Sequence, residues 1–562
     1  MPRSGSRKGR VLAAGAFVVA VAIAAVAIAM REPGPQGGDA ARRVGAEDRS
    51  FDTNDPLERA CGIDPVLLAR LWRGSDGVHD QDIIFVPHEP NYVGTLAYTS
   101  HTGPWDYVAG VPLVLYGPGV VPERPPVDRP VTLADVYPTV GRLLDLDLPA
   151  REGRPLREAI DGSLAPPKLI VSIMWDGVGN NVLDRWPGWW PVLERLAANG
   201  VSYTNATIGS SPSITPSTHS TLGAGAFPRD HGVTAIKYRT DDGDVREAFD
   251  DIKPEDLRLT TYGDDVDRLL DNEPKVGLVA WQPWHIGMMG HGAQSPGGDK
   301  DDLGLITGKT SGVLVETNPD YYTAPWGKGS PDPAGLERRL DEVDRADGEA
   351  DGRWENQVVA DQKSNPAWVE WEADLMIDLI ERRGYGDDTV PDLLFANFKA
   401  TDLVAHQTTM DSRQMALVLE AQDRALGRLV DHLENEVEDF TVILTADHGS
   451  TPNAARTGAW AILTDELTKD LNRHFSIPKG EKLIQTMPAH GIFIDPTVAE
   501  RAGASLDAIA RYLNAYTIGM NWTDPEPPAG YEERADEPVF EAAFPTEILD
   551  DAMECAGASS RS

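Results

Sequence analysis

The stretch LIVSIMWDG (169–177) is a run of β-branched and bulky apolar residues closed by an acid and a glycine. It leads into PVLERLAANG (191–200), which has helical apolar spacing and stops at Gly200. The design recurs in PDLLFANFKATD (391–402) and FTVILTADHG (440–449), apolar strands that deliver carboxylates at their C-terminal ends. Between these two lies SRQMALVLEAQDRALGRLVDHLENE (412–436), an amphipathic helix of the kind that returns a chain for a parallel crossover. Such strands belong to sheets buried on both faces. The expected fold is therefore α/β, with a mostly parallel central sheet, helices on both faces, and ligands bound outside the carboxyl ends of the strands. Residues 241–365 are acidic, irregular and rich in Gly and Pro, and read as a cap inserted into a catalytic core spanning 161–555.

The chain has 562 residues, and its 89 acidic and 51 basic side chains leave a net charge of −38. Phosphate backbones are gripped by Lys and Arg stripes, and the dense basic run here is the first ten residues, so no nucleic-acid-binding surface is expected. An apolar fraction of 41% and a charged fraction of 25% exclude disorder over most of the chain. Arg3, Arg7, Lys8 and Arg10 precede the uncharged run VLAAGAFVVAVAIAAVAIAM (11–30), which as a helix crosses a ~30 Å hydrocarbon core. The expectation is a transmembrane anchor at the cell membrane, with 1–10 cytoplasmic, 31–54 a flexible linker and the rest extracytoplasmic. The alternative is a signal peptide cleaved near Ala27 or Ala29, giving a secreted domain. Either way the domain is exported. In an oxidising compartment the two cysteines, Cys61 and Cys555, are expected to form a disulfide tying the ends of the domain together ahead of a short tail, 556–562.

Several places put Asp, His or Thr at strand ends or in Gly-rich turns. They are Asp176 in IMWDGVGN, Thr215 in SPSITPSTHSTLGAG, Asp402 and His406 in KATDLVAH, and Asp447 and His448 in TADHGS. A further His is supplied by YTSHTGPWDY (His101) or MPAHGIF (His490). Singly each is weak, because an Asp at a strand end is more often a helix cap and a lone His a hydrogen-bonded bystander. Jointly, hard carboxylate oxygens and imidazole nitrogens suit zinc or a similar ion, in numbers sufficient for two.

The order Asp, Thr, Asp with His four residues on, then Asp-His-Gly, resembles the alkaline phosphatase superfamily, and within it the type I phosphodiesterase and nucleotide pyrophosphatase branch. The resemblance is carried by TPSTHSTLGAGAFPRDHGV (215–233), PDLLFANFKATDLVAH (391–406) and TADHGS (445–450). It implies an alkaline phosphatase-like fold with Thr215 as nucleophile. One metal would be held by Asp176, Asp447, His448 and the Thr215 oxygen, the other by Asp402, His406 and one more His, both most simply zinc. The physics agrees, since a bound dication lowers the pKa of a threonine hydroxyl enough for its alkoxide to attack phosphorus. The bland reading of Thr215 is a turn residue before Pro216, with Ser213 as a nearby competitor.

One segment is out of order. SHTGPWDYVAGVPLVLYGPG (100–119) and RPVTLADVYPTVGRLLDL (129–146) resemble what the family places after its Asp-His-Gly turn, yet here they precede the core. This implies a circular permutation in which 55–160 packs back onto the core and supplies His101 as the remaining ligand. The alternative is that 55–160 is a degenerate duplicate and His490 is the ligand.

Where phosphomonoesterases of the group have a Lys and Arg pair, this chain reads VGLVAWQPWHIGMMGHG (276–292), with Trp281 and Pro283 at those positions. A dianionic monoester loses its bidentate partner. The expected substrates are a small-molecule, lipid or glycan phosphodiester or a pyrophosphate. The family's Asn after the HG turn is replaced by Thr234, Ala235 and Ile236, leaving Asn180 or Lys237 to compensate. WPGWW (186–190) with Trp281 and Trp284 either lines a pocket for a base or glycan or packs at the core rim. Two other functions stay open, a transferase of phospho-alcohol head groups and a catalytically inactive envelope binding protein of this fold.

Overall fold

The structure, a computed structural model, describes residues 54–558 apart from short breaks at 96–98, 241, 251–255, 282–284, 286–288, 292–297, 308–312, 316–317, 328–331, 360–363, 489 and 524–527. The expected membrane segment (11–30), its flank and nearly all of the linker lie outside the described residues. No helix among the described residues is long and apolar enough to cross a membrane.

A large mixed sheet forms the centre. Its strands run Val313–Val315, Asp301–Thr307, Val276–Ala280, Asp392–Phe398, Leu169–Trp175, Phe440–Thr445, Leu113–Tyr116 and Val201–Ser202, with Tyr322–Thr323 beside Asp301–Thr307. The inner pairings from Asp301–Thr307 to Phe440–Thr445 are parallel. Antiparallel pairs flank them, with Leu113–Tyr116 against Phe440–Thr445 and Val313–Val315 against Asp301–Thr307. Every residue of Leu169–Trp175, Asp392–Phe398 and Phe440–Thr445 is buried, as expected of strands covered on both faces. One group of helices contains Pro191–Ala198, Pro366–Arg383 and Arg413–Glu436; another contains Val136–Leu143, Thr215–Ala224 and Tyr262–Leu269. The second group covers the face bearing Ser172 and Phe395, where the Tyr262 hydroxyl donates to Ser172 Oγ at 2.7 Å.

Residues 241–365 depart from the expectation of a cap. Val276–Ala280, Asp301–Thr307 and Val313–Val315 extend the central sheet at one edge. The acidic, Gly-rich composition of the intervening loops hid these short strands.

Residues 55–160 are woven into the rest. Ile83–Pro87 lies between Gly491–Ile494 and Phe540–Pro545 in a second, antiparallel sheet that ends at Ile484–Thr486. Its side chains alternate, Ile83 and Phe85 entering one apolar core and Ile84 and Val86 another. The helices Pro56–Cys61 and Leu549–Cys555 are joined by the expected disulfide, with Cα atoms 5.6 Å apart. A strand paired on both edges makes 55–160 an integral part of the fold.

Candidate active site

The cluster is assembled at the carboxyl ends of the central strands. Asp176 follows Leu169–Trp175 directly, and its backbone N–H is tied to Phe398 O on the neighbouring strand. Gly177 then turns the chain at φ 76°, where a Cβ would stand 3.1 Å from Asp402 Cα. Its N–H donates to Asp447 Oδ1 at 3.0 Å, so one tight turn links the three carboxylate segments. Asp402 and His406 lie four residues apart on helix Ala400–Thr408, hence on one face, with His406 Nε2 3.3 Å from Asp402 Oδ1. Asp447 and His448 follow Phe440–Thr445, and His448 Nε2 is 3.3 Å from Asp447 Oδ2 and 3.7 Å from Asp176 Oδ1.

His101 joins this group and His490 does not. His101 Nε2 lies 3.7 Å from Asp402 Oδ1, and its ring stacks on His448 with centroids 3.5 Å apart. His490 is buried just before strand Gly491–Ile494 of the second sheet and belongs to none of the described ligand clusters. Thr215 opens helix Thr215–Ala224, and its Oγ1 accepts from Lys399 Nζ at 3.3 Å. Ser213 is differently employed, its hydroxyl donating to the His101 carbonyl.

The hydrogen bonds fix the tautomers. His101, His406 and His448 each place Nδ1 against a backbone carbonyl, those of Ser213, Thr99 and Gly449 at 2.5, 2.6 and 2.9 Å. A carbonyl only accepts, so Nδ1 carries a proton in each ring and Nε2 is the atom that faces the carboxylates, the position a metal-binding imidazole uses. Burial lowers His101 well below the usual imidazole range and His448 to about 3, keeping both neutral. Burial, with the Asp447 charge second, raises Asp176 far above the carboxylate range, and burial raises Asp447 to about 7. At Asp402, burial is outweighed by His406 and Lys399, and its carboxyl stays well below that range. Asp402 Oδ1, Asp447 Oδ2 and His448 Nε2 are buried without a hydrogen-bond donor or acceptor. Convergent buried oxygen and nitrogen atoms without hydrogen-bond partners fit a divalent cation. Among the described residues, combinations that could hold one are His101, Asp402 and His448; Asp176, Asp447 and His448; and Asp176, His219 and His285.

Sequence reasoning missed four residues. Lys399 Nζ bridges Asp176 and Asp402, and Asn397 Nδ2 donates to Asp176 Oδ2 at 3.0 Å. Burial opposes the Lys399 charge, but Asp176, Asp402 and Asp447 outweigh it and raise its pKa. His219, four residues after Thr215, holds the Thr215 carbonyl at 2.9 Å, and His285 lies 3.5 Å from Asp176 Oδ2. Lys399 and Asn397 were signalled by their place at the end of an apolar strand; His285 carried no local signal.

Asn180 opens helix Asn180–Arg185, four residues after Asp176, and Lys237 sits in hairpin strand Lys237–Arg239. Trp281 is core, donating to Glu372 Oε2 at 2.9 Å and packing edge-on against Trp368. Trp186 and Trp190 are half-buried and donate to the carbonyls of Met410 and Leu183, which is the core-rim reading. Pro283 and Trp284 lie outside the described residues.

Residues 170–536 match the family model described as type I phosphodiesterase / nucleotide pyrophosphatase. The chain belongs to that family. Among curated proteins, the alkaline phosphatase PhoK of a Sphingomonas species is 26% identical over 149 residues, covering 24% of this chain and 26% of that protein. The alkaline phosphatase PhoD of Zymomonas mobilis is 26% identical over 149 residues, 25% of this chain and 26% of its own. This phosphodiesterase-family chain thus matches about a quarter of the length of those relatives. Its fold is similar to the crystal structure of wild-type alkaline phosphatase PafA, with a TM-score of 0.51 and 17% identity over 67% of this chain and 84% of PafA. The family match begins after His101, which therefore reaches the cluster from outside the matched region.

Proposed function

We propose that this protein is an extracytoplasmic hydrolase of phosphodiester or pyrophosphate bonds that works through Thr215 and a pair of zinc ions. The observation that carries the reading is the convergence of unpartnered Asp402 Oδ1, Asp447 Oδ2 and His448 Nε2 in the buried cluster where Lys399 meets Thr215 Oγ1. Asp176, Asp447, His448 and Thr215 would hold one ion, and Asp402, His406 and His101 the other. When bound, such ions supply Lewis acidity, stabilising the nucleophile's alkoxide and charge on the phosphoryl and leaving oxygens.

The chain's own residues do the rest. Thr215 stands at the first position of a ten-residue helix, where the positive end of the helix dipole favours both an alkoxide and a phosphate. Its Oγ1, losing its proton to solvent, attacks phosphorus, the leaving alcohol departs with inversion and takes up a proton, and a phosphodiester linking Thr215 to the retained group forms. Water then attacks the same phosphorus and returns Thr215 with the released phosphate monoester. Lys399 orients Thr215 Oγ1 from one side, and His219, holding the Thr215 carbonyl, fixes the helix start from the other.

Export to the cell envelope is supported by the basic and apolar pattern of residues 1–30 and by the Cys61–Cys555 disulfide, a bond of oxidising compartments. Circular permutation is supported by the two places where 55–160 enters the sheets and by the disulfide joining its start to the end of the domain.

The test is the initial rate of the zinc-loaded full chain on a chromogenic phosphodiester beside the matching monoester, with Thr215→Ala as control. The reading expects the diester to be preferred and the control to be inactive. Cleavage of neither while zinc is bound would refute it in favour of head-group transfer or binding without catalysis.

A further inference from the structure

The two halves of the cluster are bonded unequally. Both oxygens of Asp176 are engaged: Lys399 Nζ stands 2.9 and 3.0 Å from Oδ1 and Oδ2, and Asn397 donates to Oδ2. Asp402 presents one engaged oxygen, Oδ2, 2.8 Å from Lys399 Nζ, and one without a donor, Oδ1, which has His406 Nε2 at 3.3 Å and His101 Nε2 at 3.7 Å. An ion on the Asp402 side meets lone pairs already turned toward it. An ion on the Asp176 side meets a carboxylate that an internal cation holds through both oxygens.

We propose that Lys399 is a built-in competitor for the metal bound by Asp176, Asp447 and His448, so that the ions bind in sequence, the Asp402 side first and tightly, the Asp176 side second and more weakly. The inference rests on the two-ion reading above. A lysine ammonium is a compact charge on a flexible four-carbon stem, able to swing off Asp176 while keeping Asp402 Oδ2 and Thr215 Oγ1 within reach. Displacement carries a cost, because the carboxylates of Asp176, Asp402 and Asp447 must then be shared among two dications and an ammonium in a buried site. Lys399 thereby remains beside the nucleophile as a fixed positive charge when the centre is full. Its role is distinct from ligation: it sets the order and spacing of the two affinities and is a positioning residue for Thr215.

The experiment is a calorimetric zinc titration of the chelator-stripped full chain, with bound zinc counted by mass spectrometry and folding followed by circular dichroism. Wild type should take up two ions in two separated steps. Lys399→Met should strengthen the second step by about tenfold or more, the scale of a typical coupling between sites, and leave the first in place. His101→Ala should remove the tight step. Lys399→Arg keeps the charge and should keep the steps apart, which preserves the test if Lys399→Met does not fold. Two ions with the second step unchanged or weakened in Lys399→Met, or steps merged in Lys399→Arg, would overturn the competition alone. A wild-type chain that takes up no zinc would overturn the two-ion reading along with it.

Discussion

His490 offers a quantitative test of which histidine lies at the centre. Its ring is buried, its Nδ1 has no hydrogen-bond partner, and burial lowers its pKa from 6.5 to about 4. In the unfolded chain it is protonated below about pH 6.5, whereas in the folded chain it stays neutral down to about pH 4. Between those values the unfolded state binds more protons, so stability falls as the pH is lowered through the window and is unaffected by this residue above it. A gap of about 2.5 units is worth roughly 3 kcal/mol in full, and about 2 kcal/mol is already lost near pH 5. His490→Gln removes the titrating group, whatever constant offset it introduces. Urea unfolding of wild type and variant at about pH 7.5 and about pH 5, both stripped of metal, should show wild type losing roughly 2 kcal/mol more than the variant. Zinc uptake of His490→Gln should equal that of wild type. Equal pH dependence in the two proteins would refute the buried neutral ring, and loss of zinc in the variant would refute the assignment of His101.

Thr215→Ala should lower kcat by more than about a thousandfold while the fold and zinc content persist, measured by initial rates beside metal analysis. In wild type, rapid quenching with a chromogenic diester should trap the phosphoryl group with its retained ester on the peptide containing Thr215, and its absence would argue against a covalent intermediate. The double variant Cys61→Ser, Cys555→Ser removes a cross-link closing a sequence separation of 494 residues and should lower stability by about 2–4 kcal/mol, read as a lower urea midpoint under oxidising conditions. An unchanged midpoint would mean that the sheet contacts alone hold the ends of the domain together. Truncation before residue 161 should abolish folding, because it removes Ile83–Pro87 from between two strands and Leu113–Tyr116 from the central sheet.

The central strands and their carboxylates could be read from the sequence because the signal is local. A both-faces-buried strand is a continuous apolar run, and the acid that follows falls at its carboxyl end by chain connectivity alone. Asp176, Asp402 and Asp447 come from such runs, and His406 shares a face with Asp402 because four residues make about one helical turn. The Pro after Thr215 was read as a turn signal, whereas the structure starts a helix there, since Pro is at home in a first helical turn. The cap expectation failed for the complementary reason. Val276–Ala280 and Val313–Val315 are short and set among acidic, Gly-rich segments, so composition pointed to irregular structure while pairing with neighbouring strands decided otherwise.

With Thr215 singled out only through the family resemblance, the sequence by itself determined the fold class, the carboxylate-bearing strand ends and the pairing of two cysteines. Each is a matter of periodicity, of residues adjacent in the chain, or of there being a single possible partner. Only the tertiary structure brought His101, and not His490, beside Asp402, placed Lys399 between Asp176 and Asp402, and turned Ser213 toward a backbone carbonyl. Those outcomes depend on contacts between segments separated by tens to hundreds of residues, whose approach is set by how the two sheets pack and how 55–160 threads between their strands.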